Sequence, residues 1–126
     1  MRTGTYSHGI FYLEKSSDII FVEFPNNLNV NLAIAKELVA NRLNFTENKK
    51  HYFVIDVSNV RAISTEAKEF LQHPNGGLKN ILGAAFIATN PVGVLFANIF
   101  IKTQKCFDAK LFTNKEDAFE WIVEYR

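Results

Sequence analysis

At 126 residues and 48% hydrophobic content, the chain is long enough to bury a core without disulfides or metals, and its one cysteine, Cys106, cannot close an internal disulfide. Fourteen basic against thirteen acidic residues leave a net charge of +1, with no continuous basic face, which excludes the counterion-release footprint of a nucleic-acid binder. No apolar run reaches the roughly 20 residues that span a bilayer, and residues 1–15 lack the apolar core and cleavage site of a signal peptide, so a single soluble cytoplasmic domain over residues 1–126 is expected.

Residues 9–15 and 18–24 read as two strands. Their link, Ser16-Ser17, is too short for a crossover, so they form an antiparallel hairpin. Pro25-Asn26-Asn27 stops the second strand. From 31 to 43 the apolar period lengthens to about 3.6 residues. Leu32, Ala35 and Val39 share a stripe widened by Ile34, Leu38 and Leu43, while Lys36, Glu37, Asn41 and Arg42 turn to water; Asn31 or Asn29 caps this amphipathic helix.

After a polar connection at 44–50, the run Phe53-Val54-Ile55 with Val57 predicts a strand covered on both faces, at the centre of a sheet. Asp56 lies inside that run. A carboxylate there is costly to desolvate, so backbone N–H groups of the following turn are expected to donate to it. A helix over 65–72 follows, with Ala67, Phe70 and Leu71 toward the sheet, and the stretch 73–77 must be a turn. Because Gly76-Gly77 follows a helix rather than a strand, it reads as a helix-ending turn and not as a phosphate cradle.

Residues 83–89 predict another inner strand. Asn90-Pro91 caps and starts a helix running to about Gln104. Val92, Leu95, Phe96, Ile99 and Phe100 give it a core stripe, yet Val94, Ala97 and Ile101 make its remaining flank apolar too. Such a helix is buried on more sides than one sheet can cover, so a second copy, a partner or an apolar ligand is expected against it. Cys106 beyond it reads as a small packed hydrophobe. A last strand at 109–112 precedes a last helix over 113–126. There Thr113 with Glu116 matches a capping box, and Ala118, Trp121, Ile122 and Tyr125 form the apolar stripe.

The stretch 53–67 combines an apolar strand, Asp56, Val57, Ser58, a polar Asn59, Val60, two residues, Ile63 and a hydroxyl-bearing helix start at Ser64-Thr65. That pattern resembles the STAS domains of bacterial anti-sigma-factor antagonists and the wider group of small proteins sharing their fold. The resemblance implies an α/β domain with a mixed sheet, in the order ββαβαβαβα, in which an N-terminal antiparallel hairpin precedes parallel strands covered by helices. It also puts Thr65 at the position where family members are phosphorylated by a partner kinase. Ser64 stands where that family carries Asp, and Ala67 where it carries a small Gly.

The three histidines, His8, His51 and His73, share no metal-ligand spacing, so no metal is expected. Ser64, Thr65 and Cys106 have no nucleophile elbow around them, and no acidic pair accompanies Asp56 to hold Mg²⁺; neither an enzyme nor a cofactor is expected. The first functional reading is a non-enzymatic regulatory module binding another protein, or a second copy of itself. Its turn would be Asp56, Ser58, Asn59, Ser64 and Thr65, and its helix face Val92, Val94, Leu95 and Ile101. The alternative is a carrier or sensor of an apolar, lipid-like ligand among Phe86, Phe96, Phe100 and Phe107.

Overall fold

A computed structural model describes every residue except Thr103. In chain order the elements are β1 (Arg2–Tyr6), β2 (Gly9–Leu13), β3 (Ile19–Glu23), β4 (Leu28–Val30), α1 (Leu32–Phe45), β5 (His51–Asp56), β6 (Val60–Ile63), α2 (Thr65–Leu71), β7 (Ile81–Ile87), α3 (Pro91–Ile101), β8 (Ala109–Phe112) and α4 (Lys115–Tyr125). Six strands form one sheet in the order β1-β2-β3-β5-β7-β8, antiparallel across β1-β2-β3 and parallel from β3 onward. The expected order of elements is present, with β1, β4 and β6 added to it.

Helices α1, α2 and α3 cover one face of the sheet and α4 the other. Strand pleating explains how one sequence serves both layers. On β7, Ala84 and Phe86 join the three-helix side, while Ala85 and Ile87 meet Ala118 and Ile122 of α4. On β5, Phe53 and Val54 point to opposite faces and each is fully buried. Each such side chain contributes roughly 1.5–3 kcal/mol of transfer free energy. The parallel strands advance in one direction with their crossover helices on one face, as a fixed crossover hand requires.

Several expectations shift. β1 is a strand although Arg-Thr-Gly-Thr-Tyr has no apolar alternation; it is held by pairing to β2 and by α1 beneath it, where a Cβ on Gly4 would lie 2.5 Å from the Phe45 ring. The stretch 58–65, expected as a polar turn, contains β6, which pairs in parallel with β4 in a separate two-stranded sheet. The cap of α4 is Asn114, whose Oδ1 accepts from the Asp117 N–H at 2.8 Å, in place of Thr113; an Asn at that position outcompetes a Thr one residue earlier. Helix α3 ends at Ile101, short of Gln104, and Thr103 lies outside the described residues. Residues 104–108 form neither helix nor strand, and Cys106 among them is exposed rather than packed.

Candidate functional site

The C-terminal ends of β3 and β5 converge with the start of α3. Asp56 closes β5, and its Oδ1 accepts from the Ser58 N–H at 3.0 Å, the role its position called for. The turn is tied from three sides. Asn59 Nδ2 donates to the Phe24 carbonyl just beyond β3 (2.9 Å), the Leu28 N–H donates to the Asn59 carbonyl (3.0 Å), and Asn90 Nδ2 donates to the Ser58 carbonyl (2.5 Å). Asn90 also caps α3, its Oδ1 accepting from the Gly93 N–H at 2.7 Å. Gly93 permits the close approach, since a Cβ there would sit 2.9 Å from the Val57 carbonyl oxygen. Together Asn27, Ser58, Asn59, Arg61, Asn90 and Val92 border an open cleft of mixed polar and apolar lining at this rim.

Thr65 stands at the other end of β6, about 13 Å of strand away at the usual rise per residue. It is the first residue of α2 and is exposed. Ser64 caps that helix, its Oγ accepting from the Ala67 N–H at 3.1 Å, and the Ser64 N–H donates to the Val30 carbonyl at 2.9 Å. The two-stranded sheet therefore orders the helix start through the Ser64 N–H, α2 itself engages the Ser64 hydroxyl, and Thr65 is left outside. The turn residues Asp56, Ser58 and Asn59 thus gather at one end of β6, and Ser64 and Thr65 at the other. Helix α3 packs on both β6 and α2 and spans the two ends.

The surplus apolar surface of α3 is mostly satisfied within the chain. Phe96, Ala97, Ile99 and Phe100 are buried, and Val92, Val94 and Ile101 are half-buried against the same core. Leu95, expected in the core stripe, is instead 53% exposed, and Ala97, expected on the flank, is fully buried. The reason is the second wall supplied by β6 and α2, which rotates the covered arc of α3 away from Leu95.

Beneath α3 lies an apolar cavity of about 60 Å³. Phe86, Phe96 and Phe100 line it; Phe107 is buried in the same core but outside its wall. Arg42 also borders it, and here the expectation of a water-facing residue is overturned: it is 7% exposed. Its guanidinium donates to the carbonyls of Lys79 (2.6 Å) and Gly77 (3.3 Å), and burial pulls its pKa down to about 10. Among the described residues no carboxylate pairs with it. An amphipathic pattern places a long cationic residue by its neighbours, and only the fold brings those carbonyls within its reach.

The histidines are dispersed. His8 meets Glu37 at 3.0 Å, His51 Nδ1 lies 3.2 Å from the Lys49 carbonyl, and His73 Nδ1 accepts from the Asn75 N–H at 3.1 Å. Among the described residues no three His, Cys, Asp or Glu side chains converge. No helix among them is long and apolar enough to cross a membrane.

Sequence comparison matches residues 11–126 to the model of a family described as a domain of unknown function, DUF7793. No curated protein matches the chain. Among solved structures, the chain is similar to an uncharacterized protein of the DUF3478 family with a SpoIIAA-like fold from Shewanella loihica PV-4. The TM-score is 0.58 at 16% identity, over 94% of this chain and 98% of that one. The STAS-like fold expected from residues 53–67 is therefore the fold of this protein.

Proposed function

The chain belongs to the DUF7793 family, and we propose that within it the protein is a non-enzymatic regulatory module that docks a partner protein through one surface. That surface runs from the Ser58-Asn59 turn at one end of β6, along the outer side of α3, to the exposed start of α2 at Thr65 at the other end. One observation carries the reading: Leu95, exposed on α3, lies one helical turn from Val92, which borders the same cleft as the polar side chains of Ser58, Asn59 and Arg61. An apolar anchor beside fixed polar groups is the make-up of a protein-recognition surface.

Affinity capture with the wild type and with Leu95→Glu tests it. A partner retained by the wild type and lost with the variant is expected; the same proteins recovered with both would remove the reading. Thr65, exposed and at the position where STAS resemblance puts phosphate, is the regulated residue of this surface. Peptide mapping of protein from native cells should find it modified.

A second reading, a carrier of a small apolar ligand, is favoured by the cavity that Phe86, Phe96 and Phe100 line. Its volume is under half of the roughly 150 Å³ that holds benzene in an engineered protein cavity. A lipid tail would therefore have to part α3 from the sheet. Native mass spectrometry of gently extracted protein decides it, since a retained small mass is required.

A further inference from the structure

We propose that β1 is the pairing edge for a second copy of this chain, the two copies meeting antiparallel about Gly4 so that the sheet continues across a two-fold axis. This edge lies apart from the docking surface proposed above and does not depend on it.

Among the described residues, β1 has β2 on one side and no strand on the other. The two-residue turn Ser7-His8 closes the hairpin on Tyr6↔Gly9, which makes that pair a hydrogen-bonded one. Alternation then gives the same character to Gly4↔Phe11 and Arg2↔Leu13. Thr3 and Thr5 consequently direct their backbone N–H and C=O groups outward, along the open edge.

An unpaired edge is a template for another strand, and proteins usually blunt it with Pro, Lys, a bulge or a very short strand. The opposite edge follows that rule: β8 has four residues and carries exposed Lys110. β1 has five residues, with no Pro, no Lys and an unbroken register to β2; its one charge, Arg2, sits at its end and lies over the Phe45 ring.

The strand also matches itself. A two-fold axis on Gly4 aligns all five residues of Arg-Thr-Gly-Thr-Tyr with those of the second copy. Thr3 then faces Thr5 of the second copy, and these are the residues whose backbone groups point outward, so both Thr pairs exchange hydrogen bonds in correct phase. Arg2 faces Tyr6 of the second copy, a cation beside an aromatic ring.

The edge is already ordered in the single chain. Arg2 lies 4.4 Å over the Phe45 ring, Gly4 sits against the same ring, and the Tyr6 hydroxyl donates to Asn44 Oδ1 at 2.9 Å. Pairing therefore costs little further ordering of the strand. One strand pair buries less than the roughly 1,200–2,000 Å² of a stable interface, so the dimer should be weak and concentration-dependent.

Sedimentation velocity over roughly a hundredfold concentration range tests this by mass action. The mass should rise from that of the 14.4 kDa chain toward twice it. Thr5→Pro removes one outward N–H without touching the bonds to β2 and should remain monomeric. A wild type that stays monomeric throughout overturns the proposal, as does dimerisation unchanged in Thr5→Pro or lost only in Leu95→Glu. Amide exchange on the wild type gives a second test that needs no variant. The Thr3 and Thr5 amides should slow as concentration rises while those of Gly4 and Tyr6 hold; equal behaviour of all four amides overturns the proposal.

Discussion

Asn90 reaches back across the rim to the Ser58 carbonyl with its Nδ2 while its Oδ1 holds the Gly93 N–H, so one amide fixes both the turn after β5 and the first turn of α3. Losing the side chain removes a helix cap and strands a partly buried carbonyl. Asn90→Ala should cost about 2–3 kcal/mol, the sum of a typical cap and one hydrogen bond. Asn90→Ser keeps a cap but not the reach to Ser58, and should cost about 1 kcal/mol. Denaturant unfolding of the two variants separates the terms; an Asn90→Ser protein as stable as the wild type would show that the bridge to Ser58 contributes nothing, and equal losses in the two variants that the cap does not.

Gly93 sets two effects of opposite sign against each other. On helix propensity alone, Gly→Ala stabilises by about 0.5–1 kcal/mol. A Cβ at this position, however, comes within 2.9 Å of the Val57 carbonyl oxygen and 3.2 Å of the Ala88 Cβ. The oxygen is backbone: it accepts from the Val60 N–H at 3.2 Å while the Val57 N–H donates to the Ile87 carbonyl at 2.9 Å, so it cannot swing aside. Gly93→Ala should therefore destabilise, by roughly 1–3 kcal/mol as for overpacking elsewhere. A raised melting temperature would mean that α3 slides outward freely.

The parts of the fold legible beforehand were those with strong periodicity or an unambiguous cap. Phe53, Val54 and Val57 announced the central strand, and Asn31 and Asn90 proved to be caps because each precedes a helical pattern at the right spacing. What escaped was structure created by pairing. β1, β4 and β6 are too short or too polar to signal themselves, and each exists because a neighbouring strand supplies its hydrogen bonds. The misplacement of Leu95 follows from that gap, since without β6 the covered arc of α3 cannot be oriented. Arg42 escaped for a related reason: its partners, the carbonyls of Gly77 and Lys79, are over thirty residues away in sequence.

Arg42 is a charge buried without a carboxylate among the described residues, and burial holds its pKa at about 10, below the ordinary range of a guanidinium. For a base lowered on folding, the unfolded chain binds the proton more tightly between that value and the ordinary range. Stability therefore rises with pH across that window and is insensitive to this group below it. The wild type should gain on Arg42→Met above pH 10, by at most about 1.4 kcal/mol per pH unit. Taking the difference between the two proteins cancels the lysines and tyrosines that titrate in both. A flat difference would mean that the guanidinium is hydrated in the folded state. At neutral pH, Arg42→Ala should cost roughly 2–4 kcal/mol, because it opens the cavity further and leaves two carbonyls without their donor.

Leu95 and Phe96 are adjacent on α3 yet belong to different parts of the free-energy balance. Phe96 is 3% exposed and packs on Phe24 and Phe100, with ring centroids 6.3 and 5.8 Å apart. Phe96→Ala should cost about 3–5 kcal/mol, as large-to-small changes of buried aromatics do. Leu95, half in water, should tolerate Glu within about 0.5 kcal/mol, as exposed positions away from special features do. The contrast is what makes Leu95→Glu usable as a probe of docking: partner loss in a variant whose unfolding curve overlays the wild type reports on the surface. A Leu95→Glu protein that unfolds as readily as Phe96→Ala would show instead that Leu95 belongs to the core.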